Sequence, residues 1–283
     1  MWGGRAAGYA SAMPSRRHAS RGEVTYKKQY VGSVEYHTSR AGYGDASLVA
    51  YRFECLVPEK TGPDFVLVHG IGVSARSYGP TAVELAKRGD VHLIDLAGYG
   101  RSPRPDRDLT IRDHALLVGR YLADKNLDHP VVVGHSMGTQ VVAQLAADFP
   151  EQLDHIVLIA PVVVPSARSL PKVARLLLAN GLKEPPQVSA LAIYDYLFRA
   201  GVPYMIQQTP HLIRADLDAI AGRVEAKTLV ICGTDDPIVP LEWAEQLAGR
   251  FRQGWFATVP GPHATMFAAP EAIAELIDGH ARR

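Results

Sequence analysis

Short apolar segments alternate with amphipathic ones along most of this chain. The apolar segments are rich in valine, leucine and isoleucine, which is typical of strands buried on both faces of a parallel sheet. They are Phe65–Val68, Val91–Ile94, Val131–Val133, Ile156–Ile159 and Thr228–Cys232, and Trp255–Val259 is predicted to be the last strand. Between them, segments such as Ala82–Lys87 and Ile111–Leu122 repeat apolar residues at helical spacing. The pattern predicts an α/β protein with a doubly wound, mostly parallel sheet.

Two regions depart from this alternation. Tyr30–Tyr36 and Leu48–Leu56 alternate apolar and polar residues, which predicts an antiparallel hairpin ahead of the parallel strands. Over residues 162–223 the strand signal stops, and apolar residues recur in helical patterns interrupted by Pro185-Pro186 and Pro203. This second region is expected to be a helical insertion between two parts of the sheet.

A glycine-rich motif follows one of the buried strands. Gly134-His135-Ser136-Met137-Gly138 lies between Val131–Val133 and a helix-like stretch from Thr139 to Phe149. A serine in this context stands at the tip of a tight turn, where flanking glycines remove Cβ atoms that would collide. The motif alone is a weak signal, but its position between a strand and a helix predicts that Ser136 is a nucleophile.

An acid and a histidine follow the serine along the chain. The turn after Thr228–Cys232 contains Asp235 and Asp236, and the loop after Trp255–Val259 contains His263. A nucleophile, an acid and a histidine in this order are typical of one form of the Ser-His-Asp triad. His263 is therefore expected to be the base, and one of the two aspartates the acid that orients it.

Backbone N–H groups next to the serine are candidates for an oxyanion hole. His69-Gly70-Ile71-Gly72 directly follows the buried strand Phe65–Val68. In this geometry one donor would be the N–H of Ile71 and the other that of Met137, the residue after the nucleophile. Neither donor depends on the identity of its side chain.

From about Val49 to its C-terminus the chain resembles the α/β-hydrolase superfamily. The motifs that support this resemblance occur in the family order: His69-Gly70, the loop from Asp95 to Ser102, the serine motif, Gly233-x-x-Asp236-x-x-x-Pro240, and His263. The resemblance implies Ser136 as nucleophile, His263 as base, Asp236 as its acid, and Ile71 and Met137 as oxyanion donors. It also implies structural roles for His69 and for the loop that begins at Asp95.

The resemblance implies a division of the chain as well. Residues 29–161 and 224–283 would form the α/β-hydrolase core, and residues 162–223 a small helical cap over the catalytic end of the sheet. Residues 1–28 are basic and rich in glycine, alanine and serine, and we expect a disordered extension there. Apolar cap residues would line a pocket for uncharged esters with an apolar acyl or alcohol group, but the sequence singles out none of them as substrate-binding.

Composition excludes several kinds of partner. The formal net charge is only +1 and no helix has a basic stripe, so neither nucleic acid nor an anionic membrane is expected to bind. The two cysteines exclude a disulfide framework, and the scattered histidines lack metal-ligand spacing. No apolar run is long enough to span a bilayer. We expect a cytoplasmic enzyme that acts on a small-molecule ester without a cofactor or a metal.

The identity of the residue at the turn limits the reactions that this chain is expected to catalyse. Because Ser136 stands where an epoxide hydrolase or haloalkane dehalogenase of this fold has an aspartate, attack on an acyl carbon is favoured. The predicted reaction is hydrolysis of small to medium apolar carboxylic esters through an acyl-enzyme. Two alternative functions stay open from the sequence. One is that of a carbon–carbon bond hydrolase or a lactonase of the same fold, and the other is that of a non-catalytic protein that senses a ligand in the capped pocket. The oligomeric state is open too.

Overall fold

The computed structural model describes residues 24–25, 29–60, 62–162, 175, 180, 184 and 186–283. In this part of the chain the strands are β1 (Val24–Thr25), β2 (Gln29–Val31), β3 (Val34–Tyr43), β4 (Ala46–Phe53), β5 (Phe65–Val68), β6 (Val91–Asp95), β7 (Val131–His135), β8 (His155–Ile159), β9 (Lys227–Gly233) and β10 (Gly254–Val259). They form one sheet in the order β1-β3-β4-β6-β5-β7-β8-β9-β10, and β2 pairs with β3.

The sheet changes from antiparallel to parallel along this order. β3 pairs antiparallel with β4, and β4 with β6, whereas every pair from β6 and β5 through β10 is parallel. All residues of β5, β6 and β7 are buried, as expected of strands that are covered on both faces. The prediction of a doubly wound, mostly parallel sheet is confirmed.

Helices pack around this sheet. They are α1 (Gly79–Leu85), α2 (Ile111–Asp124), α3 (Met137–Asp148), α4 (Pro186–Tyr194), α5 (Val202–Arg214), α6 (Leu217–Ala221), α7 (Leu241–Ala248), α8 (Thr265–Ala268) and α9 (Pro270–Ala281). A π-helical segment, Asp195–Ala200, joins α4 to α5. Among the described residues, no helix combines the length and the apolar character that crossing a bilayer requires.

The antiparallel hairpin lies further along the chain than the alternation of side chains predicts. β3 pairs with β4, with Tyr43 opposite Ala46 next to the connecting turn and His37 opposite Arg52 at the other end of the pairing. The segment expected as the first strand, Tyr30–Tyr36, is divided between β2 and β3 by a turn at Gly32. Gly32 has a φ of +58°, which glycine adopts without steric cost. Alternation continues across this tight turn, so the side-chain pattern does not show the break.

The N-terminal segment, expected to be disordered, contains a short strand. Val24–Thr25 pairs antiparallel with β3, opposite Arg40 and Ser39. The other residues of the predicted extension 1–28 lie outside the described residues, and so do residues 163–174, 176–179, 181–183 and 185 of the predicted cap.

Within the predicted cap, two prolines lie at the starts of helices. Pro186 is the first residue of α4, and Pro203 lies in the first turn of α5. The first turn of a helix tolerates proline because its N–H groups have no partner within the helix. These two prolines therefore mark helix starts, whereas Pro210 lies inside α5.

The described part of this insertion contacts loops at the carboxyl end of the parallel strands. The Tyr204 hydroxyl donates to the carbonyl oxygen of Ala97, just after β6, at 2.9 Å. The buried Asp195 carboxylate accepts from Ser74 Oγ at 2.5 Å and from Arg76 at 3.0 Å. These contacts hold the π-helical segment and α5 over the edge of the sheet at which strand-end loops meet.

Candidate active site

Ser136 connects β7 to α3 in a strained turn. Its φ of 54° and ψ of −118° form a conformation that costs a non-glycine residue about 1–3 kcal/mol. A Cβ at Gly134 would collide with the carbonyl oxygen of Gly138, and a Cβ at Gly138 with that of Val68. The glycines of the motif therefore permit the turn, and the serine is located at the carboxyl end of a central strand.

Asp236 and His263 contact each other across the ends of β9 and β10. Asp236 Oδ2 lies 2.7 Å from His263 Nδ1. Asp236 Oδ1 accepts hydrogen bonds from the N–H groups of Ile238 at 2.7 Å and Val239 at 3.1 Å. Because the carboxylate accepts, Nδ1 of the ring is the protonated nitrogen and Nε2 is left as an acceptor.

Only one of the two adjacent aspartates reaches the histidine. Asp235 is exposed, and its carboxylate accepts from the Thr234 hydroxyl at 3.2 Å. Its backbone N–H donates to the carbonyl oxygen of Gly261 at 2.9 Å. Asp235 thus holds the loop ahead of His263 through its backbone.

The surroundings of Asp236 favour its ionised form. Burial of the side chain opposes ionisation, but the His263 ring and the two backbone N–H groups outweigh it, so that the pKa of Asp236 lies below its usual value. The carboxylate is ionised at neutral pH and stabilises positive charge on the neighbouring imidazole.

His263 lies next to the serine turn through its contact with His135. The two imidazole ring centroids are 4.8 Å apart, and His135 directly precedes Ser136. His263 Nε2 is buried and has no hydrogen-bond partner among the described residues. This ring nitrogen is therefore available to accept a proton.

The two predicted oxyanion donors border the serine. Gly70 packs so closely that a Cβ on it would lie 2.8 Å from Ser136 Cβ, and Ile71 follows Gly70 in the chain. Met137 is the first residue of α3, so its N–H has no partner within the helix.

His69 has a structural environment, as the resemblance implies. It is completely buried, with Nδ1 2.7 Å from the carbonyl oxygen of Gly70 and Nε2 accepting from the N–H of Leu96 at 3.1 Å. Burial lowers the pKa of His69 and keeps the ring neutral. The ring links the loops that follow β5 and β6.

Asp95 also holds loops together. Its carboxylate accepts from the N–H of Ala75 at 2.8 Å, from the Tyr51 hydroxyl at 2.6 Å and from the N–H of Arg101 at 2.7 Å. The side chain is completely buried, and these donors come from three different parts of the core. A structural role fits this arrangement.

His135 supports the histidine loop, a role that sequence reasoning missed. Its Nε2 lies 3.2 Å from the carbonyl oxygen of His263. Burial and the neighbouring His263 ring lower the pKa of His135 to about 3, so it stays neutral and can donate to that oxygen. The motif shows this residue only as a neighbour of the serine, because its contact depends on the fold.

Glu184 is a second side chain that sequence reasoning missed. It belongs to the predicted cap and is 9% exposed, and its Oε1 accepts from the N–H of Ala264 at 2.8 Å. Its Oε2 is buried and has no hydrogen-bond partner in the part of the chain that the structure describes. No local motif indicates this contact, since Glu184 and Ala264 are 80 positions apart.

Apolar side chains pack against the loop that follows β5. A Cβ on Gly72 would lie 3.2 Å from the Tyr196 ring and 3.3 Å from the terminal methyl group of Met205. Tyr196 and Ile71 are both partly buried and pack against the hydrophobic core. The loop that contains the predicted donor Ile71 is therefore covered by apolar groups. Within the described ranges, no set of three or more His, Cys, Asp or Glu side chains is arranged to hold a metal ion.

Comparison with known proteins agrees with this architecture. The Alpha/beta hydrolase family model matches residues 65–276. The protein named "Putative carbamate hydrolase RutD" from Pseudomonas savastanoi pv. phaseolicola is 30% identical over 208 residues, which make up 66% of this chain and 80% of that protein. An uncharacterized protein of Mycobacterium bovis is 32% identical over 100 residues, and this match spans 35% of the chain but only 29% of the mycobacterial protein.

Solved structures show the same fold. The enol-lactonase from Burkholderia xenovorans LB400 superimposes with a TM-score of 0.73 at 18% identity, over 86% of this chain and all of that one. A hydrolase from Pseudomonas aeruginosa PA01 gives a TM-score of 0.72 at 21% identity, over 86% of this chain and 97% of its own. The matched family model covers the sheet from β5 onward together with the serine, aspartate and histidine loops, and the chain belongs to the alpha/beta hydrolase family.

Proposed function

We propose that this protein is a serine hydrolase that cleaves carboxylic esters of small to medium apolar substrates through an acyl-enzyme. The observation that carries this proposal is the contact of His263 Nδ1 with Asp236, which leaves Nε2 as an unpartnered acceptor beside the strained turn at Ser136. A serine at such a turn, next to a histidine oriented by a carboxylate, is typical of hydrolases that attack acyl carbons. Membership of a hydrolase family supports the same conclusion.

In the proposed reaction, His263 Nε2 removes the hydroxyl proton of Ser136 as Oγ attacks the ester carbonyl carbon. The carbonyl oxygen becomes an oxyanion, which the N–H groups of Ile71 and Met137 stabilise. When the intermediate collapses, the bond to the alcohol oxygen breaks and His263 gives its proton to that oxygen. Water, deprotonated by the same nitrogen, then attacks the acyl-enzyme, the acid leaves, and the proton returns to Ser136.

The first test is covalent labelling of the nucleophile. A fluorophosphonate should add to Ser136, because among the described serines only this one lies in a strained turn next to the histidine loop. Peptide mapping by mass spectrometry checks the site, and Ser136→Ala should abolish both labelling and turnover of p-nitrophenyl butanoate. Ser33→Ala, in an exposed turn at the far end of β3, is the matched control. A label on another serine of an active preparation would contradict the assignment.

A second test concerns the acyl group. The apolar groups around the oxyanion loop should make longer acyl chains bind better, by about 0.8 kcal/mol or roughly fourfold for each methylene that becomes fully buried. We therefore expect kcat/KM for p-nitrophenyl esters to rise from acetate toward octanoate until the pocket is filled. A flat or falling series would argue against an apolar acyl pocket.

Lactones and carbamates should be tested as substrates in the same hydrolysis assay. Both present a carbonyl carbon that Ser136 could attack, and similar proteins bear the names enol-lactonase and carbamate hydrolase. A protein that senses a ligand without turning it over would release no acid from any of these compounds. Its ligand binding would also be independent of the Ser136 hydroxyl. Acid release that is lost in Ser136→Ala therefore separates the enzyme from the sensor.

A further inference from the structure

The position of Glu184 relates it to one particular part of a substrate. In the proposed mechanism the proton on His263 passes to the leaving alcohol, so the alcohol must lie on the His263 side of the ester. Glu184 binds the N–H of Ala264, the residue directly after His263. The carboxylate therefore belongs to the alcohol side of the site, and not to the acyl side.

The free oxygen of Glu184 needs a partner. A buried carboxylate oxygen without a hydrogen bond is costly, because burial removes the water that would otherwise solvate it. Burial raises the pKa of Glu184 despite the opposing effects of the Ala264 N–H, the His263 ring and the Asn180 side chain. Among the described residues, His263 Nε2 is likewise buried without a hydrogen-bond partner. Any rearrangement that admits a substrate to His263 therefore brings it close to a carboxylate oxygen that lacks a donor.

The charges nearby favour a positively charged donor. The ionisable side chains with the largest effect on Glu184 are His263 and Asp236. With the imidazole neutral, this side of the site contains two carboxylates and no compensating cation among those groups. An ammonium group supplies both an N–H donor and the opposite charge, and such charge-assisted hydrogen bonds are about twice as strong as neutral ones.

The loop after β5, which would hold the oxyanion, has apolar surroundings, since Tyr196 and Met205 pack against Gly72. The two ends of the site therefore differ in chemistry. We propose that Glu184 is a specificity-determining residue that binds a primary ammonium group on the alcohol part of the ester through Oε2, while the acyl part lies against the apolar groups. This inference rests on the proposed function and revises the expectation of an apolar alcohol.

The test compares isosteric esters that differ in one group. Wild-type protein should hydrolyse 4-aminobutyl butanoate with a higher kcat/KM than pentyl butanoate, in which a methyl group replaces the ammonium. In Glu184→Gln, which keeps an oxygen for the Ala264 N–H, the ratio of the two kcat/KM values should fall by about tenfold or more. The ratio is the readout because a weaker hydrogen bond between Glu184 and Ala264 would lower both kcat/KM values together and leave their ratio unchanged. Relative to pentyl butanoate, 4-hydroxybutyl butanoate should show a smaller increase in kcat/KM than 4-aminobutyl butanoate does. An equal increase would contradict the role of charge.

Asp195→Asn is the matched control, since it also converts a buried acid of the insertion to an amide. Asp195 binds Ser74 and Arg76, away from Ala264, so its change should leave the selectivity ratio at the wild-type value. An unchanged ratio in Glu184→Gln, or no preference for the amine in the wild type, would overturn the inference while ester hydrolysis itself stands.

A binding measurement keeps the two proposals separable. Calorimetric titration of the Ser136→Ala variant with both esters should show tighter binding of the amine, and Glu184→Gln in that background should remove the difference. If the wild type hydrolyses neither ester but this binding preference is found, the proposed function fails and the ammonium site stands. Equal binding of the two esters would refute the ammonium site.

Discussion

At the scale of single residues, the two ring nitrogens of His263 have different environments, and the proposed chemistry depends on that difference. Nδ1 contacts an ionised carboxylate, whereas Nε2 has no partner among the described residues. Asp236 therefore determines which nitrogen is available to accept a proton.

Replacing Asp236 should consequently be far more damaging than replacing its neighbour. Asp236→Asn should lower kcat by about 10⁴-fold, because the amide no longer selects the tautomer with a free Nε2. Asp235→Asn, one position away and exposed, is the matched control and should cost little. Steady-state kinetics on p-nitrophenyl butanoate checks both. Should Asp235→Asn be the inactive variant, the acid has been assigned to the wrong residue.

Residues of the site differ in how far sequence can indicate them. Ser136 and Asp236 follow buried apolar strands, His263 follows the less buried edge strand β10, and the order of the three along the chain is itself a signal. His135 and Glu184 act through backbone atoms of residues 263 and 264, which are distant in the chain. Such contacts depend on how the loops pack, and nothing in the local sequence encodes them.

At the scale of elements, the loops that follow the strands are held by buried polar side chains. Asp95, at the end of β6, is bound by donors from β4, from the 3₁₀ turn that begins at Ala75, and from the loop at Arg101. The hydrophobic pattern predicted the strands and helices well because their faces repeat at fixed periods. It placed the hairpin less well, because the turn at Gly32 leaves the alternation intact.

Asp95→Asn should therefore destabilise the protein. One carboxylate oxygen becomes an amide that cannot accept, so at least one buried donor loses its partner, at a cost of about 1–3 kcal/mol. Chemical denaturation measures the change in the free energy of unfolding. Asp106→Asn, in an exposed loop position, should change it by less than about 0.5 kcal/mol. Equal effects of the two variants would show that the Asp95 contacts contribute nothing.

At the scale of the whole molecule, buried histidines link stability to pH. Burial lowers the pKa of His92, His114 and His280 to about 4 and that of His135 to about 3. In an unfolded chain a histidine titrates near pH 6.5. Between about pH 6.5 and 4 the unfolded chain therefore binds protons that the folded protein does not, and the free energy of unfolding falls as the pH is lowered.

Urea denaturation should accordingly show lower stability at pH 5 than at pH 7.5. His114 is completely buried, and His114→Gln should reduce this pH dependence by about 1–2 kcal/mol over that interval. His37→Gln, whose side chain is 41% exposed in the wild type, is the control and should leave the dependence unchanged. The measured quantity is the slope against pH, so a general loss of stability does not obscure it. Identical slopes for wild type and His114→Gln would refute the linkage.

The order of strands in the sheet has a consequence for newly made protein. Ser136 is translated well before His263, which follows β10, the edge strand at one end of the strand order. Synthesis adds about 5–20 residues per second, so a growing chain passes through several seconds in which Ser136 exists and His263 does not. Under the proposed mechanism the Ser136 hydroxyl therefore stays inert on the ribosome, and hydrolysis begins only when the last strand has joined the sheet.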